Sequence, residues 1–251
     1  MTRTYSNPWI PKEALSILAD HDGSLLDVGG GAAPYYRATH VLDALPFSEQ
    51  RLQANAWGAL GRPSAFSLHP SAFSYTQLDL CAGRRWPFDD NQFDLGLSSH
   101  CLEDLRDPIP AVHELSRVCK QVLIIVPSRL FEQTRGVDHP RYCGFPHHPW
   151  IAEFRNGTVL FRRKTPVVML PRCHVVCPIG KTLRLEHGCT HILGEDLVAQ
   201  EDPVVWQDDE GDYRRFIAPY RGRRDLFTHD EYRHTPKYWI WQLRQRLLGA
   251  A

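Results

Sequence analysis

No apolar run in this chain approaches the ~20 residues that a membrane-spanning helix requires, so a helical span is excluded on length alone. Charge of one sign is also missing: 29 Lys and Arg stand against 29 Asp and Glu. Net charge therefore gives no reason to expect nucleic acid or a membrane surface as partner. The first residues, MTRTYSNPWIPKEAL, lack the apolar core of a secretion signal. The seven cysteines are scattered, odd in number and include no Cys-x-x-Cys pair. That pattern argues against a disulfide framework and fits reduced thiols in a cytoplasmic protein. Internal repeats and low-complexity stretches are absent as well.

What remains is an ordinary globular composition, 43% hydrophobic and 23% charged over 251 residues. It suits one large domain or a core with an elaboration. Apolar residues at helical spacing predict a helix over Pro11–Asp20 and another over Ile109–Cys119, with Ala111, Val112, Leu115 and Val118 on one face. Short apolar runs predict strands at Ser24–Val28, His40–Ala44, Ser74–Leu80, Phe93–Ser98 and Gln121–Pro127. The last is an unbroken β-branched run, as a strand buried on both faces requires. Phe47–Gly61 reads as helical at least in part. Alternating strands and helices imply right-handed βαβ units and a mostly parallel sheet, whose ligands bind at the carboxyl ends of the strands.

After Pro127 the pattern changes. Ser128–Pro149 reads as an ordered loop, Trp150–Arg155 as a short helix stopped at Asn156-Gly157, and Thr158–Arg163 and Val167–Leu170 as strands. From Cys173 onward short strands and turns are expected, with a hairpin about Glu210-Gly211, before an amphipathic helix over Pro236–Leu248. The expected partition is a core over 1–172 and an elaboration, packed on it as a substrate cap, over 173–251.

The most informative stretch is LLDVGGGAAPYYR, Leu25–Arg37. A buried strand ends in Asp27 and runs into Gly29, Gly30 and Gly31. Glycine admits positive φ and has no Cβ to hold a ligand away, and Pro34 suits the first turn of a helix. Backbone N–H groups left unpaired there receive polar or anionic ligand groups. Asp43 closes the second strand and Asp79 the third. A dinucleotide fingerprint, G-x-G-x-x-G, would need glycine where Pro34 stands.

These residues resemble the class I S-adenosylmethionine-dependent methyltransferases of the type 11-like kind. The first loop of that family reads acidic-x-Gly-x-Gly-x-Gly, matched by Asp27, Gly29 and Gly31, with Ala33 in place of the last glycine. A second match is WPFDDNQFDLGLSSHCLEDLRDP, Trp86–Pro108, in which Asp104 replaces the family's histidine after Leu102-Glu103. The resemblance implies a Rossmann-like α/β sandwich with a mainly parallel seven-stranded sheet and a C-terminal β-rich elaboration. It implies S-adenosylmethionine as cofactor. The loop Asp27 to Gly31 would meet its methionine part, Asp43 its ribose, and Asp79 with Leu80 its adenine. Ser98 and Ser99 would lie beside the sulfonium. It further implies methyl transfer, with a small-molecule hydroxyl (sugar, lipid-linked or secondary metabolite) as the expected acceptor. His100 is then the first candidate base, His139 and His148 are alternatives, and Asp104 is a weaker one.

Plainer roles stand beside these. Asp27 can cap a helix, Asp43 can serve a turn, Glu103 can orient its loop, and His100 can be a packed or solvated loop histidine. His187, Cys189 and His191 would share one face of a strand, but neither they nor Cys173 and Cys177 match a familiar zinc spacing, so no metal is expected. Arg214, Arg215, Arg221, Arg223 and Arg224 among aromatics could hold RNA. They could equally hold a small anion, or pair with Asp208, Asp209, Glu210 and Asp212. An RNA or protein substrate, or a binding protein without catalysis, completes the alternatives.

Overall fold

The strands form where apolar runs can be covered on both faces, and they set up the whole arrangement. The computed structural model describes residues 10–31, 34–48, 73–139, 141–176, 189–202, 206–220 and 227–228. The expected helices over Phe47–Gly61, beyond Ser48, and over Pro236–Leu248 lie outside these residues. The chain divides into two compact units: residues 1–126, 152–161 and 190–201, and residues 127–151, 162–189 and 202–251.

In the first unit, helix α1 (Lys12–Asp20) buries Ala14 and Leu18 and leads into strand β1 (Leu25–Val28), buried throughout. Strands β2 (His40–Asp43), β3 (Ser74–Gln77) and β4 (Phe93–Ser99) follow. Helix α2 (Ile109–Val118) buries Ala111, Val112, Leu115 and Val118 on one face, and strand β5 (Cys119–Pro127) buries six consecutive residues from Val122. With strand β10 (Cys189–Gly194), these make a six-stranded sheet of order β10-β5-β4-β1-β2-β3. The β1–β2, β2–β3, β1–β4 and β4–β5 pairs are all parallel. Strand order reverses between β1 and β4, which is where open α/β sheets leave a crevice for ligands.

β3 ends at Gln77, short of the expected Leu80, because after Leu78, whose N–H still reaches the carbonyl of Asp43, the chain turns at Asp79, which accepts the N–H groups of Cys81 and Ala82. A bigger correction concerns Trp150–Arg155, which is strand β7 and not a helix. It pairs with β8 (Thr158–Arg163). Asn156 and Gly157 both adopt positive φ, 51° and 79°, the two-residue hairpin turn whose twist matches the flanking strands. The signal read as a helix stop is a hairpin signal. β8 continues into a parallel pairing with β11 (Val198–Glu201).

In the second unit, the expected loop after β5 contains a one-turn helix α3 (Arg129–Glu132), capped by Ser128, and a short strand β6 (Thr134–Arg135). Val167–Leu170 is not a strand: Pro166–Met169 form a 3-10 turn, because Pro166 fixes φ and has no N–H to give a ladder. Strands β9 (Val175–Val176) and β12 (Phe227–Thr228) join β6 in a three-stranded sheet. The hairpin expected at Glu210-Gly211 is replaced by helix α4 (Trp206–Ile217). Asp209, Tyr213 and Ile217, four residues apart, are buried, and that spacing puts them on one helical face. Arg129 and Arg162 share Asp212, and Arg162 also binds Asp202 at 2.6 Å, a buried ion network in this unit. Cys143 and Cys173 pack in an apolar cluster with Ile151, Val168 and Tyr213. Burial pushes the Cys143 thiol up to about 12 and that of Cys173 up to about 11. Among the described residues no helix is long and apolar enough to cross a membrane.

Candidate active site

At the carboxyl end of β1 the chain makes its sharpest local demand. Gly29 has φ 71° and Gly31 has φ 55°. A Cβ on Gly29 would lie 2.1 Å from Cys101 Sγ, and one on Gly30 would lie 2.9 Å from Asp27 Oδ2 and from Pro34. A Cβ on Gly31 would meet nothing within 4 Å, so this glycine borders open space. Two glycines are thus required by packing, and the third borders space.

The carboxylates around this loop are fixed by backbone donors. Asp27 Oδ2 accepts the Tyr35 N–H at 2.6 Å. Asp43 accepts Gly31 N–H on Oδ2 and Leu45 N–H on Oδ1, both at 3.0 Å. Asp27 is only 2% exposed, and its Oδ1 has no hydrogen-bond partner. Burial, partly offset by the Tyr35 hydrogen bond and reinforced by the Asp43 charge, raises its carboxyl to about 7. Asp79, expected beside them, lies on an exposed turn and accepts Cys81 N–H at 2.8 Å, with Leu80 buried next to it.

β4 delivers the other wall. Ser98 is buried and its hydroxyl has no partner; Ser99 is half-buried. His100 follows in the left-handed region, φ 53°, with its N–H on the carbonyl of Ile125 at 2.9 Å. The chain then makes the 3-10 turn Leu102–Asp104, which brings Glu103 Oε1 to 3.3 Å from His100 Nδ1. Glu103 is 1% exposed, and the pair is close enough for attraction but not aligned as a hydrogen bond. Cys101 sits between these groups. Burial first, then the charges of Glu103, Asp43, Asp104 and Asp27, hold its thiol well above the usual range.

The geometry converges with a comparison to known families: residues 26–125 match the model of a methyltransferase domain. The matched stretch holds the glycine loop, β1 to β4 and most of β5, and it is similar to a methyltransferase domain. Among solved structures, a SAM-dependent methyltransferase of Aquifex aeolicus is 20% identical, covering 45% of this chain and 63% of its own, with a TM-score of 0.33. The YcgJ protein of Bacillus subtilis is 21% identical, covering 43% and 45%, with a TM-score of 0.31. The match thus spans less than two thirds of either structure. No curated protein matches the chain.

The site fits the S-adenosylmethionine that the sequence resemblance implies. The charges acting on Cys101 are all carboxylates, which complement a ligand bearing a sulfonium and an ammonium. The unpartnered Asp27 Oδ1 and the open space at Gly31 leave an acceptor and room for it. Asp27, Gly29, Gly30, Gly31, Asp43, Ser98, Ser99 and His100 are all carried by the ends of β1, β2 and β4 or the loops that follow. His139 and His148 belong to the other unit. His139 is exposed and accepts Arg141 N–H on Nδ1. His148 is buried, its Nδ1 2.7 Å from Glu132 Oε1, while Lys164 binds the other oxygen of Glu132.

The second sequence motif owes its shape to a residue the sequence did not single out. Arg117 donates to the carbonyls of Trp86 and Phe88, to Asp90 and to Glu114. From the sequence, its three-residue spacing to Glu114 looks like any surface helix pair. Asp94 of the same motif is held well below the usual carboxylate range by Lys120 and Ser24. It braces Ser24, which precedes β1, and does not face the site.

Proposed function

We propose that this protein transfers the methyl group of S-adenosylmethionine to a hydroxyl of a small molecule: a sugar, lipid-linked or secondary-metabolite acceptor. The observation that carries the reading is His100, held at the carboxyl end of β4 directly after Ser98 and Ser99, in a site lined by carboxylates. The sulfonium supplies an already activated methyl group, so the protein's task is alignment and exclusion of water. Asp43 holds the ribose, with one lone pair on each oxygen left over from the Gly31 and Leu45 amides. Asp27 faces the methionine part and Asp79 with Leu80 the adenine. His100 takes the acceptor's proton as general base; His148, oriented by Glu132, and His139 are the other acid–base candidates.

A small acceptor is favoured over RNA because Arg214 pairs with Glu210 at 3.6 Å and Arg215 with Asp212 at 3.9 Å within α4, so these two cations are offset by their own helix. Arg221, Arg223 and Arg224 lie outside the described residues. Calorimetry with S-adenosylhomocysteine tests the reading, with Asp43→Ala beside the wild type. Binding is expected, weakened in the variant by about ten- to a hundredfold, as loss of charged hydrogen bonds entails. No heat with the wild type would remove the methyl-transfer reading; equal affinities would remove the ribose role of Asp43.

A further inference from the structure

Glu103 is buried to 1% exposure, and neither of its oxygens has a hydrogen-bond partner among the described residues. An ionised carboxylate so placed costs several kcal/mol unless a cation or donor answers it. The other charges that act on Cys101, two residues before it, give no such answer. Asp27 at the end of β1, Asp43 at the end of β2 and Asp104 on its own turn are all carboxylates, and Cys101 between them is a thiol. The cations of this unit that form described ion pairs do so elsewhere: Arg37 with Asp22, Arg85 with Asp90, Arg117 with Asp90 and Glu114, Lys120 with Asp94, Arg155 with Glu153. Among the described residues, the group capable of positive charge that lies within ion-pair distance of Glu103 is His100, with Nδ1 3.3 Å from Oε1.

Two further facts make this approach a constructed one. His100 adopts φ 53° directly after β4 ends at Ser99. A residue other than glycine does so only against a steric penalty between its Cβ and the backbone. The left-handed step lets the 3-10 turn begin at once and brings residues 100 and 103 together. The imidazole meanwhile stays a quarter exposed, its side chain at 26%, against 1% for that of Glu103. One partner is sealed in; the other keeps an edge open.

We propose that Glu103 is a positioning residue for His100: it takes the Nδ1–H, fixes the tautomer, and leaves Nε2 as the base for the acceptor hydroxyl. This rests on the methyl-transfer reading above. In the step, the Nε2 lone pair takes the hydroxyl proton. The acceptor oxygen bonds to the methyl carbon as the carbon–sulfur bond breaks with its electron pair on sulfur. His100 leaves the step as imidazolium, stabilised by the Glu103 carboxylate, and returns its proton to solvent at its open edge. The present misalignment of the pair is of the kind that closes when a reacting complex forms.

The test uses the full chain with 15N-labelled imidazoles, alone and with S-adenosylhomocysteine, and reads His100 by long-range proton–nitrogen NMR. The resonance is assigned by its loss in His100→Gln. The neutral wild-type ring is expected as the Nδ1–H tautomer. A nearby opposite charge raises an imidazole's titration midpoint, so Glu103→Gln is expected to lower that of His100 by about one pH unit, with Glu103→Asp restoring part of it. Asp27, Asp43 and Asp104 remain in each variant, so the difference belongs to Glu103. An Nε2–H tautomer in the wild type, or a midpoint that Glu103→Gln leaves in place, overturns the proposal. The tautomer needs no variant, and decides the matter even if Glu103→Gln fails to fold. Calorimetry on the same wild-type sample keeps the two readings apart. Binding of S-adenosylhomocysteine with an unmoved midpoint removes only the role of Glu103, whereas absent binding removes the methyl-transfer reading itself.

Discussion

Asp27 shows how a single side chain ties stability to ligand capture. Its carboxyl is raised to about 7 in the folded protein, chiefly by burial, from an ordinary 3.8. Between roughly pH 4 and 7 the unfolded chain gives up this proton and the folded chain keeps it. This group therefore draws stability down as pH rises through that window, and the loss is complete above about pH 7. Asp27→Asn is expected to match the wild type near pH 4 and to exceed it at pH 8, by on the order of 4 kcal/mol at most. The same change is expected to weaken S-adenosylhomocysteine binding. Denaturant titrations at the two pH values, with calorimetry, check both; equal stability at pH 8 would remove the account. The sequence exposed Asp27, Gly29, Gly31 and Asp43 because each closes a strand or opens a loop, and strand ends are legible. Glu103 and Cys101 were not legible as a pair of neighbours of Asp27. Their proximity comes from the parallel register of β1 with β4, which no local pattern encodes.

Elements were readable where period and punctuation agree. The runs giving β1, β2, β4, β5, α1 and α2 each have one dominant period and a clear end, and they recur in the structure almost residue for residue. Misreadings came where one signal serves two structures. Asn156-Gly157 ends a helix as well as it turns a hairpin, and here it turns one. Glu210-Gly211 looks like a turn, but the burial of Tyr213 and Ile217 draws it into α4. Gly157 tests the hairpin: at φ 79° with open space around its missing Cβ, it is required for conformation and not for room. Gly157→Ala is therefore expected to cost about 1 kcal/mol and to lower Tm by about 2–4 °C, with S-adenosylhomocysteine affinity unchanged. A Tm that stays or rises would remove the turn assignment.

At the scale of the whole molecule, the first unit is discontinuous in sequence: residues 190–201 join it long after Val126. β10 covers the outer edge of β5. Next to β11, Leu197 accepts the Ser116 hydroxyl of α2 at 3.2 Å, and Ala199 donates to His113 of the same helix. During synthesis, therefore, a chain that has emerged as far as Val126 has its glycine loop and five parallel strands but an open, strongly apolar flank. An uncovered β edge is a template for pairing with other chains, and vulnerability of this kind accompanies growth of a nascent chain. A fragment ending at Val126 is expected to sediment as aggregate, and one extended through Glu201 to shed much of that tendency. Equal solubility of the two would show that β10 shields nothing. The late return of about a dozen residues to the first unit thus acts as a delay: a unit whose glycine loop and five parallel strands precede Pro127 is finished only once Glu201 has emerged.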